Sequence, residues 1–476
     1  MVVFLLVIHV SCFPLHQRIK ILNSYKKRIA ELEAKVIHLE MINLDLMRKI
    51  EELMQIIEEL SNPKNSRNSS VAPSKDENRV LKNQSLRDKT DKKVGGQNGH
   101  KGSTLRMVAN PDITIFHEPN FCKNCGSDLK NVSSEFVSKR QIVDIPPIKP
   151  EFTEHQIYRK VCTCGFCNVS EFPTEVTHPI SYGANIQATI AYLHTRQYLP
   201  FARMSEFFSD FCNLSISQGT ICNLLNKFAQ KATPAYELIA QKLETEKVVG
   251  SDETGIKING IKGWFWTWQN KWLTFISYST NRGFDSIQTH FKNGFKQGVL
   301  VHDCWASHFK TDCKTHQICI AHLLRELVFF EEKYESNWAT NFKRMLYEAL
   351  EIKRKLKPDD YSKKLQSRDT IFEKLSDLLE QTVPKKQKEL FVFHKRMTKY
   401  KDYIFNFLHF YEVPPDNNGS ERAIRNVKVK QKISGQFKTE NGAHVFAKIR
   451  SVTDTCIKNG QNILDAFKTI AILKAE

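Results

Sequence analysis

VVGSDETGIKINGIKGWFWTWQNKWLTFISYS (248–279), followed by GVLVHD (298–303), decides how this chain folds. The first stretch holds three runs rich in β-branched and aromatic residues: VVGSDE, GWFWTWQ and WLTFISYS. Such runs read as strands. Asn259-Gly260 supplies a hairpin-type turn between the first two, and Asn270 breaks the chain before the third. A helix over about residues 284–291 and a strand over GVLVHD come next.

Strand, strand, strand, helix, strand, with acids on the first and fourth strands, is the order of an RNase H-like α/β fold. Residues 317–320 are placed to be the fifth strand. Asp252 and Asp303 each end or follow a short apolar run, so two strands would hold their carboxylates rigidly. Glu421, in DNNGSERAIRNVKVK (416–430), opens a helix. Two strand-end carboxylates and one helix carboxylate can converge on two divalent metals. Hard oxygen ligands select Mg²⁺ or Mn²⁺, and the pair would serve phosphodiester chemistry. Glu253 would point to the opposite face of a continuing strand, which makes it the poorer ligand. Asp416 rivals Glu421 but also suits a capping role. Glu421 and Arg425 lie four apart on one helix face, where Arg425 would hold the carboxylate or a phosphate.

With 476 residues the chain has room for several domains. It is 41% hydrophobic and 26% charged, which excludes an intrinsically disordered chain. The net charge of +18 favours a polyanion partner, and the charge is clustered. Residues 62–106 carry 11 Lys/Arg against 4 Asp/Glu, and residues 422–450 carry 8 against 1. Five of the 12 cysteines fall between 122 and 167. That pattern fits a metal knuckle and reduced thiols in a cytoplasmic protein better than a disulfide framework. The apolar tip MVVFLLVIHVS (1–11) lacks a basic flank and is too short to span a bilayer, so no membrane partner is expected.

Residues 15–60 carry an unbroken heptad. The a positions are Leu22, Ile29, Val36, Asn43, Ile50 and Ile57; the d positions are Tyr25, Leu32, Leu39, Leu46, Leu53 and Leu60. β-Branched a residues, Leu at d and a single Asn at a favour a parallel dimeric coiled coil over a helix packed on its own protein. Residues 61–106 read as a basic flexible linker ending in a glycine-rich segment. In a zinc-binding domain over 110–175, CKNCG supplies Cys122 and Cys125, and VCTCGFC supplies Cys162, Cys164 and Cys167. Two thiolate knuckles about forty residues apart would complete one structural tetrahedral Zn²⁺ site. Five cysteines compete for the four places: Cys167 is the alternative, since Cys164 and Cys167 restore a C-x₂-C spacing.

Residues 180–240 read as a helix-turn-helix region. Residues 203–211 form an amphipathic helix, Asn213 and Ser215 break it, and Ser217 caps a second helix from Gln218. If that second helix enters a major groove, Ser217, Gln218, Thr220 and Asn223 face the bases; a packed helical hairpin is the plainer reading. Residues 326–410 form a charged helical insertion between catalytic segments 245–325 and 411–476. The one histidine between about 323 and 407, His394, is expected on a solvated surface. Lys428, Lys430 and Lys432 alternate as on a strand or extended segment, and with Arg422 and Arg425 they suit phosphate contact.

The segments GGQNGHKGSTL (95–105), LPFARMSEFF (199–208), SDETG (251–255), CIAHLLREL (319–327), NNGSERAIR (417–425) and TCIKNGQN (455–462) occur in an order that resembles insertion sequence 66 family transposases. The resemblance runs from about residue 65 to the C-terminus. It implies a DDE transposase with Asp252, Asp303 and Glu421 as catalytic acids, two Mg²⁺ or Mn²⁺ per site, and Cys162 and Cys164 in the second zinc knuckle. It also implies binding to double-stranded DNA at inverted-repeat ends, strand cleavage and strand transfer by a homodimer or larger assembly, and accessory proteins of the element. The Cys-x-Ala-His segment places His322 and Arg325 at the DNA end or the rim of the site. Cys304-Trp305 stands where the family usually has Gly-Tyr. A decayed DNA-binding relative and an RNase H-fold nuclease without strand transfer are the alternatives.

Overall fold

The computed structural model describes residues 14–61, 64, 65, 68, 69, 99, 105–173, 176 and 178–473. The apolar tip and most of the basic linker with its glycine-rich segment lie outside the described residues. Two compact units are formed, one from residues up to 80 with 317–416 and one from 81–316 with 417–476. Among the described residues, no helix is long and apolar enough to cross a membrane.

Helix α1 (Leu15–Ser61) is continuous, as the heptad requires. Asp45 pairs with Arg48 and Lys49 one turn on, both at 2.8 Å. Its apolar positions, Ile29, Leu32, Leu39 and Leu53 among them, are exposed within the single chain.

The cysteine-bearing segment consists of two tight turns and a hairpin. The Gly126 N–H donates to the Cys122 carbonyl and the Gly165 N–H to that of Cys162, both at 2.9 Å. Both glycines have positive φ, the backbone state that glycine adopts without strain. Strands β1 (Arg159–Val161) and β2 (Cys167–Val169) pair antiparallel around the second turn. Nearly every side chain from 105 to 173 is exposed, so an apolar core is not what orders this segment.

Four helices follow: α2 (Ala184–Thr195), α3 (Phe201–Cys212), α4 (Gln218–Lys231) and α5 (Thr233–Glu244). Helix α3 stops where Asn213 turns left-handed at φ +48°. Ser217 caps α4 as expected, its Oγ accepting the Thr220 N–H at 3.1 Å. Met204, Phe208, Ile216, Ile221, Leu225 and Phe228 bury the faces that α3 and α4 share.

The central sheet holds β3 (Val248–Ile258), β4 (Ile261–Gln269), β5 (Thr274–Ser279), β6 (Phe295–His302) and β7 (Cys313–Ile318), in the order β5-β4-β3-β6-β7. Pairs β3·β4 and β4·β5 are antiparallel, and β3·β6 is parallel, so the sheet is mixed. Along β4, Trp266 and Trp268 join one core cluster while Phe265 joins another, because alternate side chains leave a strand on opposite faces. The helix between β5 and β6, α6 (Asp285–Gln288), is shorter than expected, and β7 starts four residues early.

One expectation about β3 is corrected. Asp252 lies inside the strand rather than at its end, because β4 keeps pairing with β3 as far as Ile258↔Ile261. The parallel partner β6 pairs only from Val248↔Val299 to Gly250↔Val301.

Helices α7 (Ile320–Tyr334), α8 (Asn337–Lys355), α9 (Gln366–Glu380) and α10 (Lys388–Lys399) make up the insertion. Trp338 stacks near Phe342 and Phe393 in its core. His394 is not a solvated surface residue: its ring lies 5.3 Å from Trp338, centroid to centroid. His322 and Arg325 both sit on α7.

Three helices close the chain: α11 (Asn418–Ser434), α12 (Glu440–Lys458) and α13 (Ile463–Ile472). Lys428, Lys430 and Lys432 lie on α11 and not on an extended segment, which corrects the second expectation. The buried residues Ser420, Ala423, Val427 and Lys430 recur at helical spacing, a period that overrides the alternation of the lysines. The TCIKNGQN segment anchors α12 to the β4–β5 turn. Lys458 Nζ donates to Gln269 Oε1 at 2.9 Å, Asn270 O at 2.6 Å and Leu273 O at 2.8 Å. Asn462 then caps α13.

Candidate active site

The register of β3 against β6 sets the site. Continued two residues beyond the last parallel pair, Gly250↔Val301, it brings Asp303 alongside Asp252. Neighbouring strands run about 4.8 Å apart, so the two carboxylates are adjacent. Glu421 arrives in the first turn of α11.

That helix start is seated directly on β3. Asn417 Nδ2 donates to Ser251 O at 2.7 Å, and Ser420 Oγ donates to Asn417 Oδ1 at 2.7 Å. Gly250 permits the approach: a Cβ there would lie 2.7 Å from Asn417 Oδ1 and 2.8 Å from Ser420 Oγ. Asp416 precedes the N-cap residue Asn417, whose side chain makes no capping bond to a backbone N–H of the helix.

Each aspartate is pinned through one oxygen. Asp252 Oδ1 accepts the Glu253 N–H at 2.8 Å, and Asp303 Oδ1 accepts the Trp305 N–H at 2.9 Å. Among the described residues, no hydrogen bond reaches the second oxygen of either aspartate. Burial raises the Asp252 carboxyl well above its usual range, and the negative charges of Glu253, Asp303 and Glu421 raise it further. Glu253, Asp303 and Glu421 thus add negative charge around Asp252, a surplus that a divalent cation would neutralise.

Glu253 is buried, and one of its carboxylate oxygens lies within 4.8 Å of one of Asp303, so it is a neighbour of the three acids. Burial alone would raise its carboxyl, but His308 and Arg282 outweigh burial and hold it below the usual range. His308 Nε2 lies 3.1 Å from Glu253 Oε2 and 3.8 Å from Asp303 Oδ1. Among the described residues, Glu253, Asp303 and His308 are the one group of three or more His, Cys, Asp or Glu residues with ligand atoms all within 4.8 Å of one another. Among the described residues, Asp252, Asp303 and Glu421 do not bring their ligand atoms that close together. Sequence reasoning missed His308 and Arg282. Neither lies in a periodic segment, and only the fold brings them to Glu253.

The cysteines come together in two pairs. A hydrogen bond from Ser127 and another from Cys122 lower the Cys125 thiol to about 7. The backbone and thiol of Cys164 lower Cys162 in the second knuckle. Readily formed thiolates on tight turns suit zinc. Cys167 is taken up by β2.

The basic residues separate by burial. Arg422, Arg425 and Lys432 are exposed, as are Ser217, Gln218 and Asn223; Thr220 is half-buried. Lys428 Nζ is engaged by Gly255 O at 2.5 Å. Lys430 is buried, with Nζ 3.5 Å from His194 Nδ1, which removes it from the phosphate-contact set. Burial lowers its pKa to about 8. Because the folded value lies below the unfolded one, the protein gains stability as pH rises from about 8 toward the unfolded lysine value. Lys430→Met is therefore expected to raise the melting temperature at pH 7, with a gain that shrinks as pH is raised toward 10. Thermal unfolding of both proteins across that range checks it.

Comparison with protein families gives three matches. Residues 179–445 match the Transposase IS66 family. Residues 119–165 match the zinc-finger binding domain of transposase IS66, a span that includes Cys122, Cys125, Cys162 and Cys164 and stops before Cys167. Residues 20–106 match a family of unknown function (DUF6444). No curated protein matches the chain. The transposase match spans more than half of the 476 residues, takes in Asp252, Asp303 and Glu421, and sits beside the family's own zinc-finger domain; the chain belongs to the IS66 transposase family.

Proposed function

We propose that this chain is a DDE transposase that binds the inverted-repeat ends of its element, cleaves them and joins them to target DNA. The observation that carries the reading is the β3·β6 register, with Asp303 two residues past the Gly250↔Val301 pair, together with the seat of α11 on β3 at Ser251. The sheet order β5-β4-β3-β6-β7, with acids on β3 and just past β6, supports an RNase H-like catalytic domain. Asp252, Asp303 and Glu421 would hold two Mg²⁺ or Mn²⁺ ions, which when bound activate the attacking oxygen and stabilise the leaving one.

In the reaction, a water oxygen displaces the 3′ oxygen of the element end from its phosphorus. The freed 3′-OH then displaces a 3′ oxygen from a target phosphate. The chain's own residues fix the geometry. The seat of α11 on β3 holds Glu421 in place, and the backbone N–H groups of Glu253 and Trp305 orient the two aspartates. Exposed Arg422 and Arg425 would meet phosphates, with His322 and Arg325 of α7 as further DNA contacts. The exposed N-terminal residues of α4 (Ser217, Gln218 and Asn223) would meet base edges, with Thr220 beside them. The exposed heptad of α1 would pair with a second copy.

The test is incubation of the full-length protein with Mg²⁺ and labelled DNA carrying the element's ends. End-specific 3′ nicking is expected. Specific binding without nicking would leave a DNA-binding relative instead, and nicking without regard to the ends would leave a nuclease.

A further inference from the structure

Asp303 is enclosed by a closed ring of contacts that no catalytic step uses. Its Oδ1 accepts the Trp305 N–H at 2.9 Å. The Trp305 indole N–H donates to the Arg282 carbonyl at 3.1 Å, and the Arg282 guanidinium stacks 3.6 Å from the Trp305 ring. Arg282 Nε donates to Glu253 Oε1 at 2.6 Å, with a second contact from its terminal nitrogen to the same oxygen. Glu253 Oε2 meets His308 Nε2 at 3.1 Å, and that nitrogen faces Asp303 Oδ1 at 3.8 Å. The His308 ring is itself wedged, stacked 4.8 Å from His302 and edge-on to Trp266 at 5.6 Å.

We propose that Glu253, Arg282, His308 and Trp305 are positioning residues that hold the Asp303 carboxylate in its metal-ligating orientation, with Glu253 acting as the charged brace and not as a ligand. The ring explains three features at once. Asp303 lies beyond the end of β6, so its direction is set by the Trp305 N–H and by the side chains that fix Trp305 and His308 around it. Glu253 is a buried carboxylate, a group that proteins keep only when it is paired, and both of its oxygens are paired. Those pairings compete with a metal for both oxygens. Trp305 supplies both the stack on Arg282 and the indole donor. Partners of this kind, one step removed from a metal, typically change affinity 10- to 100-fold when lost.

The inference rests on the proposed role of Asp303, and the experiment separates the two. Mn²⁺ binding to the full-length protein is followed by electron paramagnetic resonance for wild type, Asp303→Asn, Glu253→Gln and Arg282→Gln. Glu253→Gln preserves shape. Arg282 has 31% of its side chain exposed, and in its variant His308 still pairs with Glu253. Weakening of about 10-fold or more in both brace variants is expected, with unchanged far-UV circular dichroism. A loss in Glu253→Gln as complete as in Asp303→Asn, with Arg282→Gln unaffected, would make Glu253 a ligand and overturn the brace. Affinities within twofold of wild type in both brace variants, with Asp303→Asn impaired, would overturn the brace alone. Unchanged binding in Asp303→Asn would overturn the metal reading as well.

Discussion

Asp252→Asn is expected to lower metal-dependent strand cleavage by on the order of 10³-fold while raising the melting temperature of the metal-free protein. The first effect follows from removing one of three carboxylates that would hold the cations. Losing transition-state stabilisation of about 4 kcal/mol corresponds to roughly that factor. The second follows from the cost of the native charge. The Asp252 carboxyl is raised well above its usual range by burial and by Glu253, Asp303 and Glu421, so its ionised form is disfavoured in the folded protein. The sign is that of an acid whose folded pKa exceeds its unfolded one: stability is greatest below the unfolded value and falls as pH rises through the folded value. A neutral amide removes that penalty, so the wild type should lose stability with rising pH more steeply than the variant. Cleavage of labelled element ends and thermal unfolding in EDTA measure the two effects. A variant that lost activity and also melted lower would point to simple misfolding, and one that kept wild-type cleavage would remove Asp252 from the chemistry. The opposed directions are what a site that stores electrostatic strain for function predicts.

Arg450→Ala is expected to be among the most destabilising single changes, at about 3–5 kcal/mol. Arg450 is fully buried on α12. Its guanidinium pairs with Asp454 one turn on and donates to Thr195 O at 2.7 Å and Tyr198 Oη at 3.0 Å. The Tyr198 hydroxyl continues to Asn426 on α11 at 3.0 Å, so one side chain ties α2, α11 and α12 together. Truncation leaves Asp454 buried without its partner, and the carbonyl of Thr195 without its donor. That penalty exceeds the lost contacts themselves. The melting temperature should fall by about 10 °C. The double variant Arg450→Met/Asp454→Leu should recover most of the loss, because it removes both charges and refills the volume. A single variant within one or two degrees of wild type would mean that the network contributes little.

Much of the architecture was legible in local patterns. The α1 helix, the Asn259-Gly260 turn, the Ser217 cap and the two Cys-Gly turns each depend on residues close in sequence, and each formed where the pattern put it. Errors arose where two local signals competed. Alternating lysines at 428, 430 and 432 looked extended, yet Ser420, Ala423 and Val427 set the helical period of α11 and took Lys430 inward with them. Asp252 looked like the end of a strand because an apolar run stops there, but strand length is decided by the partner, and β4 pairs on for six more residues.

The identities of the three acids, the cysteine pairs and the basic segments were thus written in the chain itself, since residue type and short-range spacing are sequence properties. Their convergence was not. Bringing Asp303 beside Asp252 depends on the β3·β6 register, and delivering Glu421 depends on Gly250 letting α11 sit on the sheet. The ring through Glu253, Arg282, Trp305 and His308 joins residues up to 55 positions apart, none in a periodic pattern. Such contacts arise only when packing closes the chain upon itself, because hydrogen bonds and ion pairs act over a few ångströms of space and not along the sequence.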